Sequence, residues 1–164
     1  MADPPLQELF VEELRDLYNA ENQMIKALPR LTKAASSPEL KRAFQTHLLD
    51  TRRHAHRLEE IARALDVRIT GKKCHGMEGL LSEGREMLRH GFDESARDAG
   101  LIGAAQKVEH YEIAAYGTVR THAQTLGHAK VARLLQQTLD EEGATDKKLT
   151  AIAERVVNLE ALQE

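Results

Sequence analysis

No proline lies beyond residue 38 of this chain. Proline removes a backbone donor and clashes with the preceding turn, so its absence leaves most of the sequence free to run as uninterrupted helix. The four prolines that do occur sit in three places, Pro4-Pro5, Pro29 and Pro38. Ala, Leu, Glu, Lys, Arg and Gln dominate the composition, and all are good helix formers. Aromatic residues are only 4% with no Trp, and alternating β-branched runs are absent, so strands have little to be built from.

Four long segments keep an apolar line in steps of three and four. The first, near 4–35, reads Phe10, Leu14, Leu17, Glu21, Met24, Leu28, Leu31, with Pro29 expected to bend or loosen its last turns. Ser36-Ser37-Pro38-Glu39 is a restart signal, with a Ser cap, Pro in the first turn and Glu three residues after Ser36. The second, near 38–66, reads Leu40, Phe44, His47, Thr51, His54, Leu58, Ile61, Leu65. A connector with Gly71 leads to a short amphipathic helix near 77–89, which Gly91 ends. The third long segment, near 94–126, reads Ile102, Ala105, Glu109, Glu112, Tyr116, Val119 and stops at Gly127. The fourth, near 129–157, reads Val131, Leu135, Thr138, Glu142, Thr145, Leu149, Ile152, Val156. Thirty helical residues rise roughly 45 Å. Short loops make antiparallel hairpins of the first pair and of the last pair, and residues 67–93 form one long crossover. The predicted fold is therefore a single all-α domain, a four-helix bundle of two hairpins with an extra short helix, in the layout of ferritin-like bundles. Gly100 and Gly103 are expected to serve close helix packing.

Length and charge narrow the function. One domain of 164 residues is long enough to bury a core without disulfides. The formal net charge of -3 gives no basic surface for nucleic acid, and no apolar run is long enough for a membrane span. The start, Met-Ala-Asp-Pro-Pro, lacks the pattern of a signal peptide. With Cys74 as the single cysteine there is no internal disulfide, and a cytoplasmic location is expected.

Each long helix loses its apolar character near the middle. Glu21 interrupts the first, His47, Asp50, Thr51 and His54 the second, Glu109 and Glu112 the third, and Glu142, Thr145 and Asp146 the fourth. The depths match, because 29 residues separate Glu21 from Asp50 and also Glu112 from Glu141. The hairpins read as internal copies offset by about 91 residues. Read singly, these groups have ordinary partners nearby: Arg52, Arg53 and Arg57 for Asp50, Lys107 for Glu109, Lys147 and Lys148 for Asp146. Read together, they predict a cation site, because several buried carboxylates need compensation and divalent metals supply it. Carboxylate with imidazole suits two Fe ions or Mn rather than Ca. The paired Glu-x-x-His signature of di-iron bundles is absent.

The stretches LRDLYNAENQM (14–24), HLLDTRRHAHRLEEI (47–61), GMEGLL (76–81), AAQKVEHYEIAAYGT (104–118) and TLDEEGATDKKLT (138–150) resemble the YciF-like family of bacterial stress proteins, within the ferritin-like superfamily. The resemblance spans nearly the whole domain. It implies a homodimer, a di-metal centre akin to that of rubrerythrins and a role in stress response. By position it implies Glu21, Asp50, His54, Glu109 or Glu112, and Glu142 as ligands. The matched depth of the polar interruptions further predicts His47, Asp146 and the second of Glu109 and Glu112 in or beside the set. Family members commonly carry Glu at the place of Asp50 and often Gln at that of His54. Three functions follow as expectations: a di-metal protein reacting with oxygen or peroxide, iron sequestration without turnover, or a metal-free structural or interaction protein.

Overall fold

The structure is a computed structural model that describes residues 4–163. Five helices appear in order: α1 Pro5–Ala34, α2 Pro38–Leu65, α3 His75–Arg89, α4 Glu94–Thr125 and α5 Ala129–Ile152. A π-helical turn, Ala153–Val157, then leads into a short helix α6, Asn158–Gln163. No strand occurs among the described residues. None of their helices is long and apolar enough to cross a membrane.

Local chemistry sets the boundaries. Ser37 Oγ accepts from Leu40 N at 3.4 Å, and Pro38 occupies the first helical position of α2. Asp93 caps α4 by accepting from Ala96 N at 2.8 Å. Asp66 closes α2 in the left-handed region, and Gly127 does the same work after α4 with φ 81°. One boundary needs correction, and the reach of α1 agrees with the sequence. α3 starts at His75 rather than 77, because Cys74 Sγ caps it by accepting from Met77 N. α1 continues through Pro29 to Ala34, the proline lying on an exposed face.

α1 pairs with α2 and α4 with α5, and the hairpins join through α1 on α4 and α2 on α5. α3 lies across α4 and α1 on the outside. Gly76 permits that approach: a Cβ there would lie 2.6 Å from the Tyr111 ring. Gly100 gives way similarly to Met87, whereas Gly103 has open space before it and serves no close contact. A buried carboxylate, Asp98 of α4, accepts from Ser36 N at 2.8 Å and Ser37 N at 2.6 Å, tying the α1–α2 turn to the second hairpin.

The apolar core is divided. One cluster gathers Met24, Leu28, Leu40, Phe44, Leu101 and Ile152 with the α3 residue Met77. The other gathers Phe10, Leu14, Leu17, Leu58, Ile61, Val119 and Leu135. Along each long helix the residues between these clusters are polar and buried: Glu21, then His47, Thr51 and His54, then Glu109 and Glu112, then Thr138 and Glu142. Burying a large aliphatic side chain stabilises by about 1.5–3 kcal/mol. Two such clusters can therefore hold the helices around a middle layer that contributes little hydrophobic stabilisation of its own.

Candidate metal centre

In that layer Glu21, Glu109 and Glu142 have no exposed surface, Glu112 and His54 have 1%, and His47 has 3%. Two groups of potential ligands form. Glu21, His54, Glu112 and Glu142 bring one ligand atom each within 4.8 Å of one another, and so do His47, Glu109 and Glu142. Glu142 belongs to both. A carboxylate shared between adjacent donor sets is the arrangement that lets two cations sit side by side with a common ligand.

The donors point at common space more than at one another. His54 Nδ1 lies 2.8 Å from Glu142 Oε1, and His47 Nε2 lies 2.7 Å from Glu109 Oε1. Even so, His54 Nδ1, both Glu142 oxygens and both Glu109 oxygens lack a hydrogen bond of good geometry, as do Glu21 Oε2, Glu112 Oε1 and His47 Nδ1. Buried polar atoms are nearly always satisfied in native proteins, and each one left over costs about 1–3 kcal/mol. So many in one layer fit a cation-binding donor set: carboxylate oxygens with imidazole nitrogens, suited to Fe or Mn.

Electrostatics point the same way. Burial raises the pKa of Glu21, Glu142 and, furthest, Glu112 above the usual carboxylate range. Glu109 is pushed up to about 7, again chiefly by burial. Burial drives His47 down. For His54 burial also pulls downward, but Glu142 and Glu21 outweigh it and hold the imidazole up at about 11. Within the layer, burial thus favours the neutral form of the carboxyls, while Glu142 and Glu21 favour the charged form of His54.

Partners outside the two groups set their orientation. Tyr116 donates to Glu21 Oε1 at 2.5 Å and leaves Oε2 facing the layer. Glu141 takes His54 Nε2 at 2.7 Å and is itself held by Arg57 at 3.2 Å. Burial opposes ionisation of Glu141, yet Arg57 and His54 keep its pKa below the usual value. An ionised Glu141 fixes the proton on Nε2, so Nδ1 is the nitrogen free to become a ligand.

The sequence-derived set divides accordingly. Glu21, His47, His54, Glu109, Glu112 and Glu142 come together. Asp50 and Asp146 do not join them. Asp50 is a helical step out of phase with His47, Thr51 and His54, and it pairs with Arg53. Asp146 accepts from Gln106 at 3.3 Å and pairs with His110 at 3.2 Å. Glu141 was not among the expected site residues, and Tyr116, on the third apolar line beside Glu112, flanks the cluster through its bond to Glu21. Glu141 has a signal in the sequence, because it stands 91 residues after Asp50 in the internal copy. The same offset relates Glu21 to Glu112, Thr51 to Glu142 and His54 to Thr145. Each helix that would carry Glu-x-x-His therefore keeps one half, as Thr51-x-x-His54 and Glu142-x-x-Thr145. His47 and Glu109, one turn away along their helices, bring the donors back.

Four long helices around a layer of carboxylates and imidazoles, paired as two hairpins with one crossover, define a ferritin-like helical bundle. The chain belongs to the family described as Domain of unknown function (DUF892), which it matches over residues 5–162. It is similar to Protein YciF of Escherichia coli (strain K12), with 44% identity over 157 residues and 95% of each chain covered. The crystal structure of the E. coli stress protein YciF matches with a TM-score of 0.91 at 43% identity, over 95% of this chain and 99% of that one. YcfI from Rhodopseudomonas palustris, a protein proposed to be structural, matches with a TM-score of 0.87 at 36% identity, over 90% of this chain and 94% of that one. A protein of Xanthomonas campestris pv. campestris has the same fold at 22% identity, with a TM-score of 0.77 over 97% of this chain and 99% of that one.

Proposed function

We propose that this chain is a bacterial stress-response protein that binds two divalent ions, Fe or Mn, in its central layer. The observation that carries the reading is the sharing of Glu142 between two buried donor groups whose polar atoms otherwise lack partners. Glu21, His54, Glu112 and Glu142 would hold one ion, and His47, Glu109 and Glu142 the other. Fe or Mn held there would supply redox equivalents to oxygen or peroxide. The chain's own contribution is the dry layer between apolar clusters, the Tyr116 hydroxyl that fixes Glu21, and the Glu141–Arg57 pair that fixes His54. Free Cys74 supports a reducing, cytoplasmic setting.

Metal analysis of protein purified without chelators tests the reading. About two ions per chain are expected. A protein that stays metal-free, even after exposure to Fe(II) and Mn(II), would be a structural or interaction protein. Peroxide consumption by the loaded forms separates a reactive centre from storage, and no consumption would leave sequestration as the function.

A homodimer belongs to the same proposal. The resemblance to the YciF-like family motivates it, and homo-oligomers with two-fold symmetry are the commonest assembly of soluble chains. Sedimentation is expected to give twice the chain mass, and a single 18.4 kDa species at micromolar concentration would contradict it.

A further inference from the structure

The central layer is sealed from solvent, so an ion needs a way in. A cavity of about 190 Å³ opens between α2 and α5, and His47 is part of its lining. The larger clefts against α3, beside Glu12 and at the α4–α5 end include none of the six clustered residues. We infer that this α2–α5 cleft is a transit site for a divalent cation, in which Asp50 and Glu141 take the ion from water and pass it to His47. The inference rests on the metal-binding reading above.

Exposure grades along the lining. Thr46, Ala144 and Lys148 are exposed, Asp50, Glu141 and Thr145 are half-buried, and His47 is buried. The donors change in the same order. Hydroxyl and carboxylate oxygens come first and can replace the water of a hard cation one ligand at a time. The imidazole comes last, and its Nδ1 is buried without a partner while its Nε2 lies beside Glu109. Glu141 spans both regions, because it lines the cleft and also touches His54 Nε2 at 2.7 Å. The cations around the passage act against entry. Arg53 holds Asp50, Arg57 holds Glu141, and Lys148 stands at the rim. The Arg53 side chain is 62% exposed, so its pairing with Asp50 is weakened by solvent and an arriving ion can displace it. Ala144, exposed and small, leaves the mouth of the cleft open. Asp50 thus acquires a role that its place outside the two ligand groups does not otherwise give it.

The test mixes metal-free full-length protein with Co(II) in a stopped-flow instrument. The visible absorption of bound Co(II) reports the rate, and metal analysis after equilibration reports the stoichiometry. Asp50→Asn is expected to slow uptake by about tenfold at low ionic strength, and Lys148→Gln to speed it, because charge at a narrow entrance changes association rates by such factors. Ala144→Phe, which fills the mouth, should slow uptake as well. All three should reach the wild-type stoichiometry, and circular dichroism checks that each is folded. Wild-type rates in Asp50→Asn and Lys148→Gln, with normal stoichiometry, would overturn the transit role and leave the metal centre standing. Lost stoichiometry in Asp50→Asn would make it a resident ligand and also overturn the inference. A wild-type protein that binds no Co(II), Fe(II) or Mn(II) would remove the metal reading itself, and the transit site with it.

Discussion

Glu142→Ala is expected to bring the metal content of the protein from about two ions per chain to well below one. No other residue belongs to both donor groups, so its loss strips a ligand from each at once. Replacing Glu21 or His47 instead takes a donor from one group only, and a smaller loss is expected. The fold should survive, because the apolar clusters above and below the layer contain no group that depends on Glu142. Thermal melts provide the second readout. A ligand that binds only the folded state, present at a hundredfold its Kd, stabilises by about 2.7 kcal/mol. Wild type should therefore melt higher with Mn(II) or Co(II) than with chelator, and Glu142→Ala should lose most of that gap. Equal metal content together with an equal melting shift in both proteins would mean that the layer is not a metal site.

The fold was legible because helical periodicity and its punctuation agree. The three-four spacing of Phe10, Leu14 and Leu17, or of Leu58, Ile61 and Leu65, admits one reading. Ser37, Pro38 and Gly127 then mark where chain direction changes. The sequence is less explicit where a cap is unusual. A cysteine thiol seldom starts a helix, so the first turn of α3 before Met77 read as connector. The π-turn at Ala153–Val157 has no breaker residue to announce it, and the apolar line through Ile152 and Val156 reads as continuous α-helix.

For the site, depth along the bundle was readable and angle around each helix was less so. Matched spacing located the layer, and all six clustered side chains sit on the apolar lines themselves: Glu21, His47, His54, Glu109, Glu112 and Glu142. Asp50 and Asp146 lie at the right depth but turn off the line by one residue, a rotation of about 100° for a helix with 3.6 residues per turn. That rotation carries Asp50 to Arg53 and Asp146 to Gln106 and His110. Internal symmetry would have helped, since the offset relating Glu21 to Glu112 sets Thr51 opposite Glu142 rather than Asp50. Which carboxylates share a proton, and which His54 nitrogen faces the layer, depends on contacts across helices that no single-helix pattern encodes.

The metal-free protein is expected to lose stability as pH rises from about 5.5 to about 8, opposite to a protein whose surface carboxylates are merely salt-bridged. The sign follows from where the protons sit. Glu109 has a folded-state pKa of about 7 because burial disfavours its charge, against an ordinary value of 4.5. Between those values the folded state holds a proton that the unfolded state has released, and stability falls as pH climbs through the window. Glu21, Glu112 and Glu142 are raised as well and act in the same direction. His54 adds to them: its imidazolium is held up to about 11, so its stabilisation is complete below 6.5 and is lost progressively as pH rises from there toward about 11. His47 opposes the trend, since burial lowers its pKa and it favours the folded state more as pH rises through the histidine range. Glu141, lowered by Arg57 and His54 against the effect of burial, also opposes it, but on the acid side of the window. Four raised carboxyls and one raised imidazole outnumber these two. Bound metal should reverse the slope. The ligands must give up their protons to bind, so affinity increases with pH and the metal-bound form gains most where the metal-free form is weakest. Melting temperatures in chelator and in Mn(II), at constant ionic strength, should therefore diverge steadily as pH increases. A metal-free melting temperature that rises or stays flat across the window would contradict the crowding of carboxyls in the central layer. A gap between the two conditions that fails to widen would instead contradict their role as metal ligands.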